Sequence, residues 1–264
     1  MERLRIPDYG MSAGSLDFRQ MAKMRLDTVN SKAGDLPGYD CPLCRNRGYT
    51  CYLREDGTLV SRECECMGIR RCGNAAKRSG LNRLLLEKRF RDFRAEQPWQ
   101  QRMLEVSRHY VQNPEGWLLL SGQSGCGKTH LCAAVCRGLL AAGNELRYIS
   151  WRDTVVEYKA LTGDYDRQQG LMQPLKQAAF LYIDDLFKCG GEPSPADRNF
   201  TFELLNYRYN NRLPTVISTE LTPEQLGKLD SATGSRILEL CGENLVCVDR
   251  DDRKNYRLRP LTGK

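Results

Sequence analysis

The chain has 264 residues, 41% hydrophobic, 8% aromatic and 28% charged, a globular profile that excludes an intrinsically disordered chain. No apolar run reaches the ~18–20 residues of a membrane span, and the charged opening "MERLRIPDYG" has no apolar stretch behind it to form a signal peptide. The net charge of +7 lies wholly in front: residues 1–94 carry 19 Lys+Arg against 12 Asp+Glu, and residues 95–264 carry 21 of each. That asymmetry favours nucleic acid or an acidic protein face as partner, or else a solvated basic surface. Twelve cysteines without a secretory leader point to a reducing cytoplasm, where disulfides seldom persist.

In chain order, "LDFRQMAKMRLDTVNS" reads as a helix inside a polar stretch ending at residue 36. Residues 37–75 are rich in Gly, Arg and Cys and carry little apolar periodicity, so a segment this small needs a staple. "CPLC" (41–44) and "CEC" (64–66) offer one. Cys41, Cys44, Cys64 and Cys66, at C-x₂-C and C-x-C spacing, can close a tetrahedron around Zn²⁺. Cys51 or Cys72 is open as a substitute for one of them. Neither histidine, His109 or His130, lies near. A redox pair would need a thioredoxin-like strand-to-helix turn and an iron–sulfur cluster a different spacing. Unligated structural thiols, a redox pair and an iron–sulfur cluster are the alternatives left open. Arg45, Arg47, Arg54, Arg62, Arg70 and Arg71 surround the module with positive charge.

Residues 76–112 read as helical. "SGLNRLLLEKRF" sets Leu81, Leu84, Leu85 and Lys88 at helical spacing after Ser79, and "QPWQQRMLEVSRHYVQ" starts at Pro98 and ends before Pro114 and Gly116. The expected organisation is a metal-stapled module over 1–75, a helical linker over 76–95 and a large domain over 96–264. "FRDF" (90–93) either packs at a bound base or belongs to the core.

From residue 117 strands and helices alternate: "WLLLSG", then the helix "THLCAAVCRGLLAAG", "LRYISW", the doubly apolar "QAAFLYIDDLF", the helix "NFTFELLNYRYNNR", "LPTVISTE", and a last strand with a basic tail in "ENLVCVDRDDRKNYRLR". Such alternation predicts an α/β domain on a parallel sheet. Between the first strand and helix, "GQSGCGKT" fits the phosphate-loop pattern. Its Gly122, Gln123, Ser124, Gly125, Cys126, Gly127, Lys128, Thr129 and the adjoining His130 are the expected ATP-binding residues. Glycines let backbone N–H groups curl round phosphate oxygens, Lys128 meets the β and γ phosphates, and the Thr129 hydroxyl reaches Mg²⁺. In "FLYIDDLF" the strand delivers Asp184 to the Mg²⁺ shell and Asp185 to the attacking water. Together these predict an ATPase. Cys126, Cys132 and Cys136 read as small apolar packing. Lys159, Arg167, Lys176, Tyr158 and Tyr165, between the second and third strands, suit a single-strand track or an amphipathic helix.

"NPEGWLLLSGQSGCGKTHL", "YIDDLF", "VISTELTPEQL" and "GSRILELCGENLV…NYRLR", in that order and behind "CPLCRNRGYT…CEC", resemble the DnaC/DnaI-type replicative helicase loaders, above all their phage and prophage forms. The resemblance covers most of residues 38–260. It implies an AAA+ P-loop fold, slow and partner-stimulated ATP hydrolysis, self-association, and binding of single-stranded DNA and of the hexameric replicative helicase, docked by the cysteine module. It also implies a sensor at the end of the "VIST" strand, with Thr219 as the candidate and Ser218 or Glu220 as alternatives, and Arg236, early in a helix, reaching the γ-phosphate of a neighbouring subunit. The IstB-type transposition ATPases share the ATPase motifs, and resemblance to them would imply duplex DNA and a transposase instead. A third alternative is an adaptor that keeps ATP only to hold its fold.

Overall fold

The structure, a computed structural model, describes residues 18–36, 41–64, 66–67, 70, 80–81 and 87–258. The chain forms two compact units, residues 1–70 and 71–264.

In the first unit, helix α1 (Phe18–Ser31) precedes an antiparallel hairpin of β1 (Tyr49–Leu53) and β2 (Leu59–Glu63). Sequence periodicity gave the helix but no hairpin. The turn is local chemistry: Arg54 N–H donates to Thr58 O at 3.0 Å, Asp56 Oδ1 accepts from Thr58 N–H at 2.9 Å, and Gly57 takes φ 79°. The Asn30 side chain ties α1 to β1 by bonding both the N–H and the C=O of Cys51. Arg47 reaches the Val29 carbonyl and Asn30 Oδ1. The core of this unit is Cys41, Cys44, Cys64 and Cys66 with Met67 against them.

The second unit is a five-stranded parallel sheet in the order β4-β5-β6-β3-β7, formed by β3 (Trp117–Gly122), β4 (Leu146–Ser150), β5 (Phe180–Leu186), β6 (Thr215–Thr219) and β7 (Leu245–Val248). Helices α2 (Pro98–Gln112), α3 (Lys128–Ala141), α4 (Trp151–Ala160), α5 (Tyr165–Gln177), α6 (Pro195–Asn210), α7 (Pro223–Leu229) and α8 (Ser231–Cys241) cover it. Side chains alternate across a strand. Leu118, Leu120, Tyr182, Val216 and Val246 accordingly share a core with α2 and α3. Leu119, Ile183 and Ile217 share the opposite core with α4, α6 and α8. Both faces are covered, which is why β3 and β5 read as unbroken apolar runs.

Two expectations need correction. The helix expected to start at Pro98 does so, but the helical reading of 76–112 fails ahead of it among the described residues. Phe90–Asp92 form a 3₁₀ turn, Gln97 is extended at φ −108°, ψ 152°, and α2 begins at Pro98. A proline pushes its predecessor out of the helical region and tolerates only the first turn. The helical reading of "SGLNRLLLEKRF" lies largely outside the described residues, as does Cys72. Helix α6 starts four residues before "NFTF", because Ser194 and Asp197 close a capping box with Pro195 between them. Among the described residues no helix is long and apolar enough to cross a membrane.

Candidate nucleotide site and cysteine cluster

At the C-terminal end of β3 the chain turns through residues 123–127 into α3. Gly127 stands at φ 98°, and a Cβ there would lie 2.6 Å from Phe93. Gly125 at φ 79° meets Asn255, with a would-be Cβ 2.0 Å from Oδ1, so only glycine fits either place. Lys128, buried, donates from Nζ to Gly122 O at 2.7 Å and Gln123 O at 2.9 Å. The α3 N-terminus follows at once and directs its N–H groups and positive dipole end into the loop, the standard setting for a phosphate.

A cleft of about 340 Å³ opens over this loop. Phe93 forms one wall, edge-on to His130 with centroids 5.5 Å apart. His130 Nε2 lies 2.9 Å from Arg89 O. Trp99, Lys254, Tyr256 and Arg257 line the cleft as well. The segment after β7 therefore lies on the phosphate loop. The Gln123 amide pairs with the backbone of Asp251 in both directions at 2.7 Å. Tyr256 N–H donates to Gly125 O at 3.0 Å, and Arg257 Nη1 lies 3.4 Å from Ser124 Oγ. Cys126 is buried in the loop, and burial raises its thiol pKa, which keeps it protonated.

At the end of β5, Asp184 is buried and receives four hydroxyls. Thr129 donates to Oδ1 at 3.2 Å, Tyr182 at 2.6 Å and Ser218 at 2.5 Å, while Tyr148 reaches Oδ2 at 3.4 Å. Asp185 leaves the ladder. It adopts φ 54°, and the pairing with β6 shifts register between Ile183 and Leu186. Its N–H donates to Ser218 Oγ at 2.9 Å, and its Oδ2 accepts from Lys188 Nζ at 2.9 Å. Lys188 also pairs with Glu220 at 2.9 Å, and all three line the cleft. Burial lowers the Lys188 pKa, but the hydrogen bonds it donates to Glu220 and Asp185 outweigh that and hold it above the usual lysine value. A carboxylate held left-handed at a strand end is the kind of backbone strain that clusters at working sites.

Thr219 is placed elsewhere than the sequence suggested. It is fully buried, donates from Oγ1 to Leu186 O at 2.8 Å and accepts from Leu221 N–H at 3.2 Å. The hydroxyl beside the acid belongs to Ser218. Arg236 is the sixth residue of α8 rather than near its start. Its guanidinium carbon lies 5.4 Å from the ring centroids of both Phe202 and Tyr209, and it donates to Ala232 O at 2.6 Å; it is not among the residues lining this chain's own cleft. Of the residues suggested for a strand track, Lys159 pairs with Asp197 at 2.8 Å, Lys176 with Glu203 at 2.7 Å, and Tyr158 packs on Phe200. Tyr165, at 72%, and the Arg167 side chain, at 75% and 3.4 Å from Asp164, are the widely exposed ones. Sequence reasoning missed Tyr148, Tyr182 and Lys188. A tyrosine two residues before the acid on one strand was a usable signal, since positions i and i+2 share a face.

In the first unit the sulfurs of Cys41, Cys44, Cys64 and Cys66 lie within 4.8 Å of one another, and all four residues are buried. Cys41–Cys64 are 3.7 Å apart and Cys44–Cys66 3.4 Å. A tetrahedral site with Zn–S of ~2.3 Å separates its sulfurs by ~3.8 Å, so the donor set fits zinc. Left-handed Arg45 and Asn46 curl the chain so that Gly48 N–H points at Cys44 Sγ, 3.4 Å away. Burial raises the Cys44 pKa, yet this bond and the neighbouring thiols bring it down to about 6. Cys51 is only half-buried and is not part of the cluster.

A family model described as "IstB-like ATP binding protein" matches residues 48–239. The chain is 34% identical over 232 residues to the phage-like element PBSX protein XkdC of Bacillus subtilis (strain 168), across 81% of this chain and 84% of that protein. It is 28% identical over 224 residues to the replicative helicase loader DnaC of Escherichia coli (strain K12), across 81% of this chain and 86% of that one. A crystal structure of the DnaC helicase loader superposes with TM-score 0.54 at 22% identity, covering 64% of this chain and 100% of that one. A structure of DnaI gives 0.52 at 21%, covering 67% and 94%. At those identities the structural likeness speaks for the AAA+ fold.

Proposed function

This chain belongs to the family of IstB-like ATP-binding proteins, and we propose that it is a cytoplasmic ATPase that helps place a hexameric replicative DNA helicase on single-stranded DNA. The observation that carries this reading is the likeness to a replicative helicase loader over 81% of the chain, joined to a complete phosphate loop with two carboxylates beside it. In this reading Lys128 and the loop N–H groups, from Gln123 to Thr129, bind the phosphates of ATP. His130 and Phe93 stand at the base. Thr129 and Asp184 would hold Mg²⁺, whose charge offsets that of the phosphates. Asp185 orients and deprotonates the attacking water. The polar group that assists it at the end of β6 is Ser218 rather than Thr219, because Ser218 contacts both Asp184 and the Asp185 N–H. Arg236, half-buried on α8, would reach the nucleotide of a neighbouring subunit.

Zinc held by Cys41, Cys44, Cys64 and Cys66 would staple the first unit, and that unit docks the helicase. Tyr165, with Arg167 beside it, is the best-placed contact for single-stranded DNA. The domain division proposed is a zinc module over 1–75, a linker over 76–95 and an ATPase domain over 96–264. The family description favours one other reading, a transposition helper on duplex DNA with a transposase.

Light scattering separates the two. With ATP and Mg²⁺, a mixture of this protein and its host's replicative helicase should give a discrete complex heavier than the hexamer, lost on deletion of residues 1–75. No complex in any nucleotide state overturns the loader and makes a transposase the next partner to try.

A further inference from the structure

Asp184 and Asp185 are adjacent acids with opposite kinds of partner. Asp185 is bound by a cation, Lys188. Asp184, at 9% exposure the more deeply buried of the two, is bound by neutral hydroxyls alone among its recorded partners. A buried carboxylate is costly unless it is compensated. Hydroxyls compensate it while leaving its charge in place; an ammonium would cancel that charge and have to be displaced by any metal.

The hydroxyls are also unevenly shared. Oδ1 accepts two short bonds, from Tyr182 at 2.6 Å and Ser218 at 2.5 Å, and a longer one from Thr129 at 3.2 Å. A carboxylate oxygen offers about two lone pairs, so Oδ1 is saturated by Tyr182 and Ser218 before Thr129 is counted. Oδ2 has one long contact, from Tyr148 at 3.4 Å.

The sheet builds this arrangement. Tyr182 precedes Asp184 by two on β5 and lies along the strand on the same face, fully buried. Tyr148 on β4 is Tyr182's register partner, with ring centroids 5.3 Å apart. Ser218 approaches from β6 on the other flank. None of these three depends on a mobile loop.

We propose that Tyr182 is a positioning residue for the divalent metal: with Ser218 it locks Oδ1 of Asp184, and Tyr148 packs against it, so that Oδ2, whose one contact is the long one from Tyr148, is held in place as the oxygen offered to Mg²⁺. The inference rests on the ATP–Mg²⁺ reading of the site. Mg²⁺ demands near-ideal octahedral geometry and uses only one or two carboxylates, so a pinned carboxylate spares it the ordering of that ligand. Outer partners of metal ligands typically contribute 10–100-fold in metal affinity. Thr129, whose bond to Oδ1 is the long one, is the hydroxyl free to turn away.

The test is a Mg²⁺ titration of fluorescent ATP-analogue binding to the full chain, read alongside binding in EDTA and the melting temperature. Tyr182→Phe should raise the Mg²⁺ concentration for half-maximal binding about tenfold or more and leave binding in EDTA unchanged. Ser218→Ala, which removes one oxygen and disturbs no core ring, should shift it in the same direction, and Ser218→Thr should restore it. An unshifted Mg²⁺ midpoint in folded Tyr182→Phe and Ser218→Ala, with wild type metal-dependent, overturns the positioning role and leaves the ATP–Mg²⁺ reading standing. Wild-type binding that is indifferent to Mg²⁺ overturns both.

Discussion

Lys188 donates to Asp185 Oδ2 and to Glu220 at the tip of the neighbouring strand, so the acid assigned to the water is held at a fixed place in the cleft mouth. Asp185→Asn keeps size and polarity and removes the base. Steady-state phosphate release should fall at least about 100-fold with nucleotide affinity within a few-fold of wild type. Loss of affinity equal to the loss of turnover would make Asp185 a binding residue instead. The types and order of these groups were legible in the sequence, because a phosphate loop and an acid pair need particular atoms at particular steps. Which neighbouring hydroxyl faces the acid was not. "VIST" offers Ser218 and Thr219 side by side. Only the pairing of Ile183 with Ile217 decides that Ser218 lies next to Asp184 and Thr219 points to the other core. A one-residue slip would exchange them.

Elements joined at their ends explain how the sheet keeps that register. Arg208 of α6, fully buried, donates to Leu175, Lys176 and Ala178 carbonyls at the end of α5, to Pro214 O and to Thr215 Oγ1 at the start of β6. Burial lowers its pKa to about 10, so it is still cationic at neutral pH. It closes the unsatisfied C-terminal carbonyls of one helix with a side chain from another. Arg208→Met leaves those carbonyls buried without donors and should lower urea-unfolding stability by about 3 kcal/mol or more. A loss under about 1 kcal/mol would mean that water replaces the guanidinium.

At the other end of α6, Asp197 caps Ser194 N–H at 2.8 Å and pairs with Lys159 of α4. Burial raises its pKa, but the Lys159 and Ser194 bonds outweigh that and hold it below the usual carboxylate range. Its stabilisation is therefore present above the unfolded pKa and lost as pH falls through the lower folded value. Asp197→Asn should cost about 1 kcal/mol at pH 7, a difference that closes in acid unfolding below about pH 4. A gap independent of pH would sink the ionic account. Most strands and the long helices were legible because their apolar period is strong. The β1–β2 hairpin was not, since short strands exposed on both faces leave little alternation to read.

The two units draw stability from different sources. Residues 71–264 bury apolar side chains on both faces of a five-stranded sheet. In residues 1–70 the described core is four cysteines and Met67, and a core that small cannot offset the conformational entropy of ordering the helix and hairpin around it. Metal binding at a structural zinc site is worth ~10–16 kcal/mol and becomes folding free energy when no other core exists. The cysteine spacing made the four-thiol cluster legible in sequence, because such a donor set needs little besides its spacing. The hairpin that carries Cys64 back to Cys41 was not legible.

Protein purified without a histidine tag should therefore contain about one zinc per chain. Cys44→Ser, or chelation, should abolish the hairpin's amide-exchange protection and the helicase complex together. ATP-analogue binding by the second unit should stay within about twofold, because its cleft is lined from residue 88 onward and its sheet has its own core. Metal-free protein whose hairpin stays protected would show that the thiols pack without an ion. Nucleotide affinity lost along with the zinc would show that the two units fold as one.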